Sequence, residues 1–479
     1  MEKAFDLIES FSGIRGIYGK GITEELLKKY FFAYFEAFPQ AKKKFLLSGD
    51  TRASTNLLKL AAISFLKEIG VKEIIDAGVV PIQTAELAVL KFGCLGGFYI
   101  TASHNEPNYN GWKMLKQDGA ILYANQAQQV IDFVNQKGSS FFLLGRSLAP
   151  SLIFSRAVLK EKEAIELYCN YVLEKLGEEA VEKIKQAKLK VLFDPNGGSA
   201  IEVLKILSEK LNLQANFVND LPGKFNRLVE PKAESLAHLQ KYFEKENYEF
   251  ATGFDTDADR VEFMTQSGLV NGNYVLALAC DCLLQGAQNQ VVVTNDVTSY
   301  LVRDVIKKHK AIIKEVEVGE TNVVQEMEKQ NSLIGGEGSN GGVIIPPIKC
   351  RDGLMTTCLF LKMIAQKNQG LSDILQSYPK YFSSHNKATC LSEKARQIKN
   401  QLESYYKKKG YIIKKTGDDT GGLKAEADEN SYIWFRLSKT EPGAFRIYAE
   451  TDQSQQKADN LAKEALAIFM NLTKLSPHK

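Results

Sequence analysis

A strand-like run in the middle of the chain leads into three acids that could hold a metal ion. The stretch GFDTDADR follows the apolar and aromatic run YEFATGF. If the strand persists, Asp255, Asp257 and Asp259 lie on one face at a spacing of two. Carboxylates this close repel one another unless a cation neutralises them, and an all-oxygen ligand set suits Mg²⁺. An EF-hand is excluded, because Arg260 and Gln266 stand where that loop needs glycine and a bidentate glutamate. An acidic strand end that faces water is the alternative.

A second stretch places a serine beside a histidine in a loop. In GGFYITASHNEPNYNGWKM an apolar run ends just before Ser103 and His104, and Lys113 follows the loop. Ser103 lacks the G-x-S-x-G context of an acyl-transfer nucleophile. A serine shortly before asparagine and proline is most often a turn former. Taken alone, this stretch leaves open whether Ser103 shapes a turn or does chemistry.

A third stretch, RLSKTEPGAFRIYAE, collects basic and hydroxyl side chains around a turn made by Pro442 and Gly443. Guanidinium groups, hydroxyls and turn amides are what a phosphate monoester requires. The alternative is a basic hairpin with an ordinary turn. The candidate phosphate ligands are Arg436, Ser438, Lys439, Thr440 and Arg446.

Two glycine-rich stretches are weaker candidates. IGGEGSNGGVI surrounds Glu337 and Ser339 with glycines that let the backbone approach a ligand, and both side chains could bind hydroxyl groups. FSGIRGIYGKGIT sets Arg15 between glycines, with a spacing that fits neither GxGxxG nor GxxxxGKT. A flexible loop and an exposed arginine are the respective alternatives.

Strand-like and amphipathic helical runs alternate along the chain and must position these loops. The strand–helix–strand rhythm occurs three times at comparable length, which predicts mixed or parallel sheets covered by helices. After Lys380 the pattern changes to a small α+β module. We predict an α/β protein with four domains at 1–155, 156–265, 266–378 and 379–479. The charged helical stretches 159–188 and 392–409 are the expected bridges between domains.

Composition excludes several classes of protein. The 479 residues carry a net charge of +4, too near neutral to indicate a nucleic-acid or membrane partner. The seven cysteines form no CxxC and are typical of reduced thiols in a cytoplasmic protein. The N-terminus is acidic where a signal peptide is apolar, and the longest apolar run is too short to span a bilayer. We expect a cytoplasmic protein, a monomer or a homodimer, acting on a small molecule.

Taken together, these loops resemble a known family. TASHNEPNYNGWK, DTDADR, GGEGSNGG and RLSKTEP are similar, in order and separation, to the four signature loops of the α-D-phosphohexomutases, and SGIRG resembles that family's arginine loop. The family includes phosphoglucomutase, phosphomannomutase and phosphoglucosamine mutase. The resemblance implies four domains around a central cleft: three similar α/β domains with mixed sheets and a smaller C-terminal α+β domain.

The resemblance also implies an activity, an isomerase that transfers a phosphoryl group within its substrate. Ser103 would be the phosphoserine, with Mg²⁺ held by Asp255, Asp257, Asp259 and a phosphoserine oxygen. Hexose 1-phosphate and hexose 6-phosphate would interconvert through hexose 1,6-bisphosphate, which is also the expected activator. Phosphoglucomutase/phosphomannomutase is the expected activity, with phosphoglucosamine mutase as the alternative. The resemblance implies that the side chains around the reacting phosphoryl group are His104, Lys113, Arg15 and Arg260. Glu337 and Ser339 would contact the sugar. The phosphate that is not reacting would be bound by a distal phosphate grip of Arg436, Ser438, Lys439, Thr440 and Arg446.

The chain departs from the family pattern at three places. Asn340 and Gly341 stand where a histidine often follows the sugar-loop pair, and the CRDG that comes after looks like the archaeal-type enzymes. SGDTR departs from the usual Gly-Arg-Asp-Thr-Arg, and Lys439 occupies a usual glycine position.

Two readings from other classes compete with the mutase. FDTDAD resembles the aspartyl-nucleophile loop of haloacid-dehalogenase-type phosphatases, in which Asp255 would carry the phosphate, but Asp259 stands where that loop has Thr or Val. A sugar-phosphate-binding homologue without catalysis is the other alternative.

Overall fold

The computed structural model describes residues 7–137, 156–287, 289–339, 341–438 and 443–474. The chain forms two compact units. The first holds Met1–Asn271 with Asn340–Ser372, and the second holds Gly272–Ser339 with Asp373–Lys479.

The first sheet is mixed and carries the serine loop. Its strands run in the order β1-β2-β6-β5-β3-β4-β7, with β5, β3, β4 and β7 parallel and the others antiparallel. Phe31 stacks on Phe98 in the core with ring centroids 4.3 Å apart. The strands are β1 (Ile8–Ser10), β2 (Gly13–Ile17), β3 (Lys44–Gly49), β4 (Glu73–Val79), β5 (Gly96–Ile100), β6 (Tyr109–Lys116) and β7 (Arg156–Leu159). The helices are α1 (Glu24–Ala37), α2 (Thr55–Glu68), α3 (Ile82–Lys91) and α4 (Ala124–Lys137), with a 3₁₀ turn at Pro39–Lys43.

The second sheet carries the acidic loop and is also mixed. Its order is β12-β11-β10-β8-β9, with β10, β8 and β9 parallel. The strands are β8 (Lys190–Asp194), β9 (Gln214–Phe217), β10 (Phe250–Phe254), β11 (Val261–Thr265) and β12 (Gly268–Leu269). The helices are α5 (Glu161–Leu176), α6 (Glu178–Ala187), α7 (Ile201–Lys210), α8 (Ala233–Leu236) and α9 (Gln240–Phe243), with a 3₁₀ turn at Ala237–Leu239.

The structure adds detail to one expectation for this region and contradicts another. The stretch 159–188 is two helices, because Gly177 adopts a φ of 82° that ends α5 and starts α6 in a new direction. The strand before the three aspartates does not persist: β10 ends at Phe254, and the acids lie in the turn that follows, where Ala258 has a φ of 59°.

The third sheet has β13 at its centre, parallel to β14 on one side and β15 on the other. Its strands are β13 (Val291–Asn295), β14 (Ile312–Val316) and β15 (Ile334–Gly336), and the short β16 (Val343–Ile344) follows in the chain. The helices are α10 (Gly272–Leu284), α11 (Tyr300–Lys308), α12 (Glu320–Gln330), α13 (Gly353–Lys367) and α14 (Leu371–Gln376). Within the first unit, Phe360 of α13 stacks on Phe263 of β11 with centroids 3.9 Å apart.

The fourth sheet is fully antiparallel, in the order β17-β21-β20-β19-β18. Two helices cover one face, where Leu402, Phe435, Ile447 and Phe469 form the core. The strands are β17 (Phe382–Thr389), β18 (Ile412–Lys415), β19 (Leu423–Asp428), β20 (Ser431–Leu437) and β21 (Ala444–Thr451), and the helices are α15 (Ser392–Lys408) and α16 (Gln455–Lys474).

The predicted fold class is confirmed: three α/β domains precede a C-terminal module with its own sheet. The domain boundaries stay predictions. Among the described residues, no helix combines the length and apolarity needed to cross a membrane. All seven cysteines are buried thiols.

One glycine permits the strand pairing that brings two candidate site residues together. Gly111 lies opposite Arg15 in the β2–β6 ladder, and Lys113 follows two residues along on the same face. A Cβ atom at Gly111 would lie 1.8 Å from the carbonyl oxygen of Ile14. The two backbones therefore approach as closely as they do only because residue 111 has no side chain.

Gly111→Ala should lower the thermal unfolding midpoint, since overpacking of this kind costs about 1–3 kcal/mol. Gly21→Ala is the matched control, because its Cβ would meet atoms no closer than 3.6 Å. Differential scanning calorimetry of both variants tests this, and equal midpoints would contradict the close approach of β2 and β6.

Candidate active site

The serine loop lies between β5 and β6 and buries its serine. Ser103 is 2% exposed and has a φ of 50°. Its backbone N–H donates to the hydroxyl of Thr101 at 2.8 Å. A positive φ is uncommon for residues other than glycine, asparagine and aspartate, so contacts with surrounding residues must hold this backbone conformation.

A buried arginine supplies those contacts. The guanidinium of Arg52 donates to the backbone carbonyls of Ser103 at 2.7 Å and Glu106 at 2.6 Å. Asp50 accepts from Arg52 Nε at 3.1 Å and from the Thr101 hydroxyl at 2.7 Å. Burial raises the pKa of Asp50, and the charge of Arg52 opposes that rise. This acid–arginine pair thus fixes the shape of the serine loop.

Sequence reasoning did not assign a role to Asp50 or Arg52. The available signal was the acid–Thr–Arg run SGDTR between β3 and α2, a position at the carboxyl end of a parallel strand where loops meet functional sites.

The acidic loop after β10 meets the serine loop. The Oγ of Ser103 donates to Asp255 Oδ2 at 3.3 Å, and the Thr256 hydroxyl donates to the Ser103 carbonyl at 3.0 Å. Asp255, Asp257 and Asp259 are all buried, and one carboxylate oxygen from each lies within 4.8 Å of the others. The structure therefore brings the serine and the three acids into one cluster.

These acids fit a hard divalent cation. Within the described residues, Oδ1 of Asp257 and Oδ1 of Asp259 are buried without a hydrogen-bond partner, and an unsatisfied buried oxygen is costly. Burial, then the charges of Asp259 and Asp257, raise the pKa of Asp255 well above its ordinary value. An oxygen-only set with open acceptors is what Mg²⁺ takes as ligands.

Cationic side chains lie beside the acids. Lys113 Nζ lies 2.8 Å from Asp257 Oδ2 and 3.3 Å from Asp259 Oδ2, and Arg351 Nη2 lies 3.3 Å from Asp259 Oδ2. Arg260 Nε lies 3.9 Å from Asp259 Oδ1. Burial opposes ionisation of Asp259, but these three cations outweigh it and hold its pKa below the ordinary value. Arg351, from the CRDG run, was not among the predicted site residues.

His104 and Arg15 also belong to this cluster. His104 Nδ1 lies 3.5 Å from Ser103 Oγ. Burial, together with the charges of Arg260 and Arg15, lowers the pKa of His104 to about 2, so the imidazole is neutral near pH 7. Burial likewise lowers the pKa of Arg15, while Asp257 attracts its charge. A neutral imidazole therefore lies beside the serine oxygen and adds no positive charge to the cluster.

The sugar-loop candidates lie in the second unit. Glu337 follows β15, and its Oε1 accepts from Asn295 Nδ2 at 2.8 Å and from the backbone N–H of Gly319 at 2.9 Å. Ser339 is exposed two residues later. Two donors fix the carboxylate of Glu337, so it presents a defined acceptor geometry.

The described phosphate-loop candidates lie on neighbouring strands of the fourth sheet. Arg436 on β20 is directly opposite Arg446 on β21, and Lys387 on β17 is opposite Arg446 on its other side. Directly opposite like charges destabilise a sheet unless an anion offsets them. Glu317 accepts from Arg436 Nη2 at 3.0 Å. Ser438 is buried at the end of β20, and Lys439 and Thr440 lie outside the described residues.

Lys387 was not predicted as part of this row. Its strand, β17, was missed from the sequence, so nothing placed this lysine beside the two arginines.

Comparison with known proteins agrees with the architecture. Residues 8–140, 166–268 and 271–381 match the family models described as "Phosphoglucomutase/phosphomannomutase, alpha/beta/alpha domain" I, II and III, respectively. A structure of a phosphoglucomutase/phosphomannomutase family protein from Burkholderia thailandensis superposes with a TM-score of 0.79 at 20% identity, covering 98% of each chain. That likeness shows the fold.

Two curated relatives are similar over nearly the whole chain. "Phosphoglucosamine/phosphogalactosamine mutase" from Sulfurisphaera tokodaii is 28% identical, covering 95% of this chain and 97% of the relative. "Phosphoglucomutase/phosphomannomutase" from Thermococcus kodakarensis is 30% identical over 473 residues, covering 96% of this chain and 97% of the relative. With a match of that extent, and with family-model domains I, II and III in order, the chain belongs to the phosphoglucomutase/phosphomannomutase family of phosphohexomutases.

Proposed function

We propose that this phosphohexomutase interconverts hexose 1-phosphate and hexose 6-phosphate with Ser103 as the phosphoryl carrier. The observation that carries the proposal is the contact of Ser103 Oγ with Asp255, inside a buried cluster of three acids and several cations. A serine that only shaped a turn would need neither the acids nor the cations. The Arg52 contacts to the loop backbone further support a preorganised nucleophile.

The first transfer moves the phosphoryl group from Ser103 to the substrate. The bond from Ser103 Oγ to phosphorus breaks as the bond from the free sugar hydroxyl to phosphorus forms, giving hexose 1,6-bisphosphate. Lys113, Arg351 and Arg260 stabilise the negative charge on the transferring oxygens. The proton lost by the sugar hydroxyl passes to the departing serine oxygen, and His104, neutral and 3.5 Å from Ser103 Oγ, is placed to relay it.

The second transfer runs in the opposite direction with the other phosphate. The bisphosphate turns around, Ser103 Oγ attacks the second phosphorus, and the sugar oxygen leaves with a proton. His104 is placed to relay the proton from Ser103 Oγ to the departing sugar oxygen as the new bond forms. The bound bisphosphate also rephosphorylates any Ser103 that has lost its phosphate, which accounts for its proposed role as activator.

Asp255, Asp257 and Asp259, with an oxygen of phosphorylated Ser103, would hold Mg²⁺. Bound there, the ion would offset the repulsion between the acids and the phosphoryl group and act as a Lewis acid on the phosphoryl oxygens.

The substrate would be held at two further places. Glu337 and Ser339 would bind sugar hydroxyls, and the grip formed by Arg436, Ser438, Lys439, Thr440 and Arg446 would hold the phosphate that is not reacting. Guanidinium groups bind phosphate through paired, charge-assisted hydrogen bonds. The buried thiols agree with our proposal of a cytoplasmic enzyme.

Glucose and mannose phosphates are the proposed substrates. Glucosamine 1-phosphate is the second candidate, because the relative from Sulfurisphaera tokodaii at 28% identity is named as an amino-sugar mutase. Assays of glucose, mannose and glucosamine 1-phosphates with Mg²⁺ and trace bisphosphate separate the two.

Ser103→Ala should abolish mutase activity and remove a mass of about 80 Da, that of one phosphoryl group. Intact mass spectrometry and a coupled mutase assay measure both effects. Ser64→Ala, an exposed serine on α2, is the control and should leave both unchanged. Full activity in Ser103→Ala, or a hydroxylamine-labile phosphate on Asp255, would refute the assignment.

Asp257→Asn should weaken Mg²⁺ binding at least about tenfold, the low end of the loss seen even when an outer-shell partner is changed. Titration calorimetry with Mg²⁺ alone measures the affinity. Asp132→Asn, on the surface of α4, is the control. Unchanged Mg²⁺ affinity in Asp257→Asn would rule out the proposed ligand set.

Arg446→Ala should raise KM for hexose 1-phosphate about tenfold, since a hydrogen bond to a charged group contributes about 1.5–3 kcal/mol. The change in kcat should be smaller, because a grip on the non-reacting phosphate acts on ground state and transition state alike. Steady-state kinetics measures both constants, with Lys414→Ala on β18 as the control. A fall in kcat at constant KM would contradict this role.

A further inference from the structure

Glu230 contacts the site but has no place in the function described so far. It lies in the segment between β9 and α8, and its Oε1 lies 2.6 Å from Nη1 of Arg260. The side chains are 25% and 13% exposed, respectively. Lys232 lies 2.5 Å from the other carboxylate oxygen but is itself 60% exposed. The contact with Arg260 is thus the better shielded of the two, and shielded pairs are screened less by solvent.

The segment that carries Glu230 is held in place by buried partners. Arg227 donates from Nε to Asp194 Oδ2 at 2.9 Å and from Nη2 to the Phe254 carbonyl at 2.7 Å, which ties the segment to the end of β10. The backbone N–H of Val229 donates to Glu106 in the serine loop at 3.4 Å. Glu230 therefore approaches Arg260 from a backbone anchored to both loops of the candidate site.

Arg260 spans the distance between Glu230 and the acids. Its Nη1 faces Glu230, while its Nε lies 4.0 Å from Asp255 Oδ2 and 3.9 Å from Asp259 Oδ1. Within the described parts of the chain, that buried Nε has no hydrogen-bond acceptor. Arg260 is a long side chain whose Nε–H lacks an acceptor, so another contact must hold its rotamer. Of the carboxylate contacts given above, the one between Arg260 and Glu230 is the shortest.

We propose that Glu230 is a positioning residue for phosphoryl transfer, holding the Arg260 guanidinium beside the carboxylates next to Ser103. The inference rests on the proposed function, in which Arg260 stabilises the transferring group. Loss of the Glu230 carboxylate lets the guanidinium leave this position. The chemical step then slows, while the distal contacts that bind the substrate are unaffected.

A double-mutant cycle tests the proposal in the full-length protein with hexose 1-phosphate, Mg²⁺ and bisphosphate. Glu230→Gln, which keeps the shape and removes the charge, should lower kcat about tenfold to a hundredfold, the loss expected from a displacement near 1 Å. KM should change by less than about threefold. In an Arg260→Ala background, Glu230→Gln should cause no further loss of kcat, because the guanidinium through which Glu230 acts is already absent.

Glu234→Gln is the matched control, an exposed glutamate four residues along in α8, and it should keep the wild-type kcat. Thermal midpoints equal to wild type show that the variants fold. An unchanged kcat in Glu230→Gln, or losses that multiply in the double variant, would overturn the proposal.

A crystal structure of Glu230→Gln gives a readout independent of activity. A guanidinium displaced by more than about 1 Å supports the proposal, and one that stays in place refutes it. If the wild-type protein lacks mutase activity and phosphate on Ser103, the proposed function fails, and this structural comparison still decides whether Glu230 positions Arg260.

Discussion

Repulsion among three buried carboxylates is the constraint on which the site depends. Asp255, Asp257 and Asp259 cannot all be ionised in a dry cluster without nearby positive charge. Lys113 and Arg351 supply part of that charge through contacts of 2.8–3.3 Å. Within the described residues, Oδ1 of Asp257 and Oδ1 of Asp259 have no hydrogen-bond donor, so the cluster beside Ser103 can still accept a cation.

The first and second sheets each contribute one loop to this cluster, and each loop follows the end of a strand. β5 runs parallel to β3 and β10 runs parallel to β8, and each leads into a site loop at its carboxyl end, where α/β folds commonly place functional groups. Arg52 joins the two loops, because its guanidinium donates both to the Ser103 carbonyl at 2.7 Å and to the Thr256 hydroxyl at 3.2 Å. Arg52 therefore links the backbone of the serine loop to the acidic loop.

Local patterns predicted much of the fold, and contacts distant in sequence explain what was missed. Apolar runs in the sequence predicted β5 before the serine loop and β10 before the acidic loop, whereas β17 is too polar to show a strand pattern. The candidate site loops could be proposed because each carries its reactive residue types within a few residues. Arg52 and Glu230 could not be singled out from the sequence, since their partners Ser103 and Arg260 are 51 and 30 residues away and only folding brings them near. The prediction that a continuing strand places the three acids on one face is wrong, because β10 ends at Phe254. The turn that follows nevertheless brings carboxylate oxygens of the three acids together.

The cationic and acidic side chains around Ser103 nearly balance in charge. Lys113, Arg351, Arg260 and Arg15 face a comparable number of carboxylates once Glu230 is counted with the three aspartates. A phosphoryl group on Ser103 would add a charge of about −1.5 to −2 to this near-neutral cluster. A single divalent cation would restore the balance, whereas another lysine or arginine would supply only half of the charge that is needed. On the proposed function, phosphorylation of Ser103 would therefore increase the need for a cation beside the three aspartates.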